Sequence, residues 1–203
     1  MKKISSLFAR DPSNPRILTD SFHSDAAWVV AGEGVATRKW DGTAVLVRNG
    51  KLFARYDVKR GKAVPAGFEP AQDPDPNTGH HPGWVPAERP EDMWIRDAAE
   101  KLTASSATTT IRQRHEAVSL LDDGTYEACG PKINGNPEGL DGHRLIRHGR
   151  FVLANVPRDK AGLVEFFRAH PIEGVVWWRQ EGDDACDKVK ITADALGVEW
   201  PSR

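Results

Sequence analysis

Asn49-Gly50 lies between two short runs rich in β-branched and apolar residues, 43–48 and 51–57. An Asn-Gly pair suits the two positive-φ positions of a tight turn whose twist matches antiparallel strands. The two runs are therefore expected to form a hairpin, with Val47 opposite Leu52, Val45 opposite Ala54 and Ala44 opposite Arg55. Side chains alternate along a strand, so Arg55 shares a face with Phe53 and Leu46. Lys39 sits just ahead of the first strand, where a side chain can project from a rigid sheet edge.

The remaining elements are read in the same way. A helix is expected over 91–104, entered through Pro90, with Trp94, Ala98 and Leu102 on one face. Residues 116–129 read as strand, turn and strand around Asp122-Asp123-Gly124, and 145–156 as a strand pair turned at His148-Gly149. Asp159 caps a helix that runs to Arg168 and carries Leu163, Phe166 and Phe167, with Pro171 beyond its end. Residues 174–179 and 188–191 are two short strands. The proline-rich stretch 63–90 has no periodicity and reads as a functional loop. Phe68, Trp84 and His80-His81 argue against plain disorder there, because flexible linkers are poor in aromatics. Trp84 is expected to anchor this loop to the core, the other reading being a lid over a substrate. The paired histidines suggest a metal, but no further ligands follow at suitable spacing. Many antiparallel strands with a few helices make an α+β fold, expected as one domain spanning 1–203.

Composition narrows the function classes. Hydrophobic residues at 39% and charged residues at 28% are those of a folded soluble chain. No apolar run approaches the roughly 20 residues of a membrane span, and the N-terminus lacks a signal-peptide core. Two cysteines, Cys129 and Cys186, make no disulfide framework or zinc spacing, which points to a reducing, cytoplasmic setting. A net charge of −1 argues against a protein that coats nucleic acid without specificity. The charge is segregated, however. Residues 38–62 hold eight Lys and Arg against Asp41 and Asp57, whereas 63–100 hold Arg89 and Arg96 against eight acids. The basic segment, with Arg144, Arg147 and Arg150, is expected to border one groove.

Four short segments carry potential chemistry. Lys39-Trp40-Asp41-Gly42 precedes a strand; Tyr126-Glu127-Ala128-Cys129-Gly130-Pro131-Lys132 places an acid in a strand of alternating character. Glu173-Gly174-Val175-Val176-Trp177 puts another acid at the mouth of an apolar strand, and Lys188-Val189-Lys190 sets two lysines on one strand face. Singly each has an ordinary structural explanation: a turn, a strand-end acid, a hairpin glycine, a solvated edge. Their order and spacing along one chain make the signal.

That order resembles the covalent lysine nucleotidyltransferases, which comprise ATP-dependent DNA ligases, RNA ligases and mRNA capping enzymes. Ala54-Arg55-Tyr56-Asp57 and the run YEACGPKINGNPEG over 126–139 are similar to the small RNA ligases related to the vertebrate 5′-to-3′ RNA ligase. The resemblance extends from about Arg38 to Ile191 and implies a ligase adenylylation domain: two antiparallel sheets with flanking helices forming an ATP cleft. It implies that Lys39 attacks the α-phosphate of ATP and becomes adenylated, with Lys188 and Lys190 contacting that phosphate as charge develops. It further implies that Glu127 fixes the ribose hydroxyls, Arg55 reaches the ribose or phosphate side of the nucleotide, and Glu173 helps to hold a magnesium ion. The acceptor is then RNA with 5′-phosphate and 3′-hydroxyl ends, in a repair reaction.

The chain departs from the wider group in three places. Ala44 stands where DNA ligases carry an arginine. Only 13 residues follow Lys190, too few for the OB-type domain of DNA ligases and capping enzymes. No residue stands out to stack on adenine; Leu145, Ile146 and Phe151 lie in the corresponding region. The alternatives are a nucleotidyltransferase that acts on DNA nicks or another acceptor, and an inactive nucleic-acid-binding module.

Overall fold

The structure is a computed structural model that describes residues 2–104, 121–181 and 185–201. The chain divides into two compact units, Asp41–His148 with the N-terminal lysines and Ile4–Trp40 with Gly149–Arg203. The architecture is α+β.

The first unit is built on a six-stranded antiparallel sheet. Its strands are β5 (Thr43–Arg48), β6 (Lys51–Val58), β7 (Glu69–Pro70), β8 (His81–Pro86), β9 (Gly124–Cys129) and β10 (Arg144–Arg147), in the order β10-β9-β5-β6-β8-β7. The expected hairpin forms at Asn49-Gly50, both in positive φ, with Val47 opposite Leu52 and Val45 opposite Ala54. Alternation gives the sheet one apolar face. Val45, Val47, Ala54, Val85, Tyr126, Ala128 and Leu145 pack there with Ile95, Ala98 and Ala99 of helix α2 (Met93–Ala104). Helix α2 follows a turn of 3-10 helix at Pro90–Asp92. Its buried stripe runs through Ile95, Ala98 and Ala99, one position away from the stripe expected from Trp94 and Leu102; Leu102 is exposed.

The proline-rich stretch is not the loop its lack of periodicity suggested. It contains β7 and β8, and β8 pairs with β6 along six positions. Pro82 and Pro86 hide this strand from a propensity reading, since proline cannot donate to a ladder. Trp84 does anchor the segment: it is buried and pairs across the sheet with Arg55 and Glu69. Of the strand pair expected over 116–129, only the second strand, β9, falls within the described residues.

The second unit holds a four-stranded sheet of β1 (Ser5–Ser6), β4 (Val35–Lys39), β11 (Gly174–Glu181) and β12 (Ala185–Thr192), in the order β1-β12-β11-β4. It is not purely antiparallel as expected, because β1 runs parallel to β12. A separate ribbon of β2 (Phe8–Arg10) and β3 (Leu18–Phe22) stands beside it. The core forms on one face, where Ala36, Val175, Trp177, Val189 and Ile191 meet Trp28 and Val29 of α1 (Ala27–Val30) and Leu163 and Phe167 of α3 (Lys160–Ala169). Gly174 is required in this sheet, since any Cβ there would run into the Ile191 carbonyl oxygen. The strand pair expected over 145–156 divides differently. β10 joins the first sheet, whereas Phe151 and Leu153 exchange backbone hydrogen bonds with β4 through Arg38 and Ala36.

Helix α3 begins as its sequence predicts. Asp159 is extended, and its Oδ1 accepts from the Gly162 N–H at 2.8 Å. Asp159→Ala is expected to lower stability by about 1 kcal/mol, the usual worth of such a cap, read as an earlier denaturant midpoint with an unchanged slope. Among the described residues no helix is long and apolar enough to cross a membrane.

Candidate active site

The face of the second sheet opposite its core carries three lysines. Lys39 pairs with Gly174, and Gly174 with Thr192; Thr37 pairs with Val176, and Val176 with Lys190; Val35 pairs with Trp178, and Trp178 with Lys188. Strand alternation thus puts Lys39, Lys190 and Lys188 on one side of three adjacent strands, while Ala36, Val175, Trp177, Val189 and Ile191 fill the core on the other. This is the grouping expected of Lys188 and Lys190. The sequence did not show that Lys39 belongs to the same sheet, because β4 lies in a stretch of mixed signals.

Lys39 is the last residue of β4, and its Nζ donates to both carboxylate oxygens of Glu173, at 2.6 and 2.5 Å. Both side chains keep some exposure, 23% for Lys39 and 17% for Glu173, so the pair is open to a ligand. Glu173 owes its place to the glycine that follows it, which lets β11 begin close against β12. One partly exposed carboxylate suits magnesium, which favours a few carboxylate oxygens together with phosphate oxygens and retained water. It does not make a closed metal cage, and among the described residues no cluster of three or more His, Cys, Asp or Glu could hold a metal alone.

Lys188 is held differently. Its ammonium lies 4.3 Å from the centroid of the Trp178 ring. Burial pushes its pKa below the usual lysine range, against a smaller upward influence from Cys186. The Trp178 indole N–H donates to Thr37 Oγ1 at 2.8 Å, and the buried Thr37 hydroxyl donates to the Val176 carbonyl at 3.1 Å.

The Asp-Gly of the lysine motif has a structural task within the first unit. The Asp41 N–H donates to Glu138 Oε1 at 2.9 Å, and Asn134 Nδ2 donates to Asp41 Oδ1 at 2.5 Å. A Cβ at Gly42 would collide with the Ala128 carbonyl oxygen, so only glycine lets this turn lie against β9. The run over 126–139 is therefore partly a clasp on that turn. Buried His143 braces it, accepting from the Lys132 N–H through Nε2 and pairing with Asp97 through Nδ1.

Glu127 and Arg55 share the first sheet's other face, away from α2. Glu127 pairs with Ala44 and Ile146, whereas the apolar side is set by Val45, Ala54 and Ala128. Arg55 Cζ sits 5.2 Å from the Trp84 ring centroid. Burial lowers its pKa and Asp57 opposes the shift. Glu127 Oε2 is 2.8 Å from His148 Nε2, with both side chains largely buried. Sequence reading treated His148 only as a turn residue; a titratable residue beside a strand that carries an acid was the available signal.

Among the residues considered for adenine, Leu145 is buried in the core and Ile146 lies beside Glu127. Phe151 belongs to the second unit, is 53% exposed and sits edge-on to Trp40 at 5.6 Å. The expected basic surface is thinner than its charge count. Arg48 pairs with Glu69, Arg144 with Asp141 and Arg147 with Asp122. His80 pairs with Asp57 and His81 packs on Phe68.

Three lysines on one partly exposed sheet face, with a carboxylate touching one of them, suit an anionic, phosphate-bearing ligand. A family model described as RNA ligase 1 matches residues 69–203, and the chain belongs to that family. The matched stretch contains Glu127, Glu173, Lys188 and Lys190, while Lys39 and Arg55 precede it. The RNA ligase 1 of Rattus norvegicus is 29% identical over 227 aligned positions, covering 82% of this chain and 68% of that protein. The RNA ligase 1 of Mus musculus has the same identity and coverage. That of Pongo abelii is 31% identical over 147 positions, covering 63% of this chain and 44% of its own.

Proposed function

We propose that this protein is a cytoplasmic ATP-dependent RNA ligase with a nucleotidyltransferase-type adenylylation fold, which joins 5′-phosphate to 3′-hydroxyl RNA ends. The observation that carries the reading is Lys39, aligned on one sheet face with Lys188 and Lys190 and touching Glu173, in a chain of the RNA ligase 1 family.

The chemistry follows from these groups. Lys39 Nζ, once it has given up a proton and its contact with Glu173, attacks the α-phosphorus of ATP. The N–P bond forms as the bond to the pyrophosphate oxygen breaks, leaving AMP on the lysine and releasing pyrophosphate. Lys188 and Lys190 bear on the α-phosphate oxygens as negative charge builds there. Glu127 accepts from the ribose hydroxyls, and Arg55 supplies a cation on the ribose or phosphate side. Glu173 is the residue that would hold magnesium; such an ion neutralises phosphate charge and orients the leaving pyrophosphate. In the second step an oxygen of the RNA 5′-phosphate attacks the phosphorus of the lysyl-AMP, the N–P bond breaks and the AMP passes to the RNA end. In the third, the 3′-hydroxyl oxygen attacks the 5′-phosphorus, loses its proton, and AMP departs.

Incubation with α-labelled ATP and magnesium, followed by RNA or otherwise identical DNA ends, tests the reading. We expect a covalent protein–AMP adduct that RNA ends discharge into a sealed product. No covalent label would leave a binding module, and equal or faster sealing of DNA would move the activity to DNA nicks.

A further inference from the structure

Trp178 stands opposite Lys188 in the β11–β12 register, and contacts fix both the edge and the face of its indole. The edge is tied down by the chain from indole N–H to Thr37 hydroxyl to Val176 carbonyl, with Thr37 only 2% exposed. The ring therefore has little freedom to turn. Gly149 lies against it as well, where a Cβ would meet the ring in ordinary contact at 3.4 Å.

The ring face carries Lys188 Nζ at 4.3 Å, inside the range where an aromatic quadrupole attracts a cation. Two ways of holding a lysine are thus present on one sheet. Lys39 is held by a carboxylate, which cancels its charge. Lys188 makes no ion pair among the described residues and is held by an aromatic face, which restrains the ammonium without neutralising it. A lysine that must meet an anion needs the second arrangement: fixed in place, with its charge still to be compensated. Burial works against the charged form, and attraction to the ring offsets part of that cost.

We propose that Trp178, anchored through Thr37, is a positioning residue that holds Lys188 over its indole with the charge uncompensated, so that the lysine meets the phosphoryl group of the bound nucleotide. The assignment rests on the adenylylation reading above. Trp178 itself touches no reacting atom in this scheme; it acts through Lys188.

A double-mutant cycle tests it, with the single-turnover rate of AMP attachment at saturating ATP as the readout. A cation–π contact of the usual strength corresponds to roughly a tenfold effect. Trp178→Leu is expected to slow attachment by about that factor, and Trp178→Phe, which keeps a ring face but loses the N–H held by Thr37, to recover only part of the loss. In the Lys188→Met background, Trp178→Leu is expected to change nothing further. Independently, the Lys188 ε-protons should show an upfield ring-current shift that Trp178→Leu abolishes. Should Trp178→Leu fail to fold, Thr37→Val takes its place in the cycle, because losing the hydroxyl releases the indole edge, and the same non-additivity is expected. Equal slowing with and without Lys188 would make Trp178 a fold residue only and overturn the assignment, as would an unchanged rate in the single variant. Those outcomes leave the ligase reading standing. A wild-type protein that takes up no AMP removes that reading, and this assignment with it.

Discussion

Lys39→Ala is expected to abolish covalent attachment of AMP while leaving the protein folded. The side chain ends β4 on the face away from the core, where Ala36, Val175 and Trp177 do the packing, and alanine leaves that core untouched. What the substitution removes is the only group assigned to form the N–P bond, so the loss should be complete rather than graded. It also leaves Glu173 without the lysine that contacts both its oxygens. Because that carboxylate is partly exposed, water can solvate it, and the stability cost should stay small. Intact-mass and peptide mass spectrometry after incubation with ATP and magnesium should place a single AMP on Lys39 in the wild type and none in the variant. An adduct on another lysine would sink the assignment. Lys39→Arg is a useful companion: it keeps the charge beside Glu173 but not a nucleophilic amine, so it should fold as the wild type does and still take no label.

What the sequence made legible, and what it hid, follows the range of the signals involved. The Asn49-Gly50 turn fixed the register of β5 and β6, and Asp159 the start of α3, because both are set by a few adjacent residues. Side-chain alternation alone placed Lys188 and Lys190 on one face. By contrast, β8 was missed because its prolines suppress strand propensity, although a sheet neighbour, β6, stabilises it. The crossing near His148-Gly149 was read as a hairpin because local pattern cannot tell which partner a strand will choose; β10 pairs with β9, and Phe151 bonds to Arg38. The contacts at the candidate site are longer-range still. Lys39 and Glu173 are 134 residues apart, and Thr37 and Trp178 are 141 apart. Only the order of the four segments hinted at the first pair, and nothing in the sequence marked the second. A charge count also cannot see that Arg48, Arg144 and Arg147 have acidic partners.

Lys188→Ala and Lys190→Ala should each slow AMP attachment by a factor on the order of 10² to 10³, the usual cost of losing one preorganised contact to developing charge. Both lysines lie on β12, two positions apart and therefore on one face, and the residue between them, Val189, is fully buried in the core. The strand is thus locked by Val189 and Ile191, so truncating either lysine removes charge from the site without loosening the sheet that presents it. The loss should fall mainly on the rate at saturating ATP, because charge builds on the α-phosphate oxygens only as the N–P bond forms. Lys188→Arg should recover little at this site. A planar guanidinium differs in length and hydrogen-bond geometry from the compact ammonium that sits over Trp178. Quench-flow measurement of AMP attachment across a range of ATP concentrations separates rate from affinity for all three variants. Near-normal saturating rates in both alanine variants would remove β12 from the reaction. An effect confined to ATP affinity would recast the two lysines as ground-state phosphate binders.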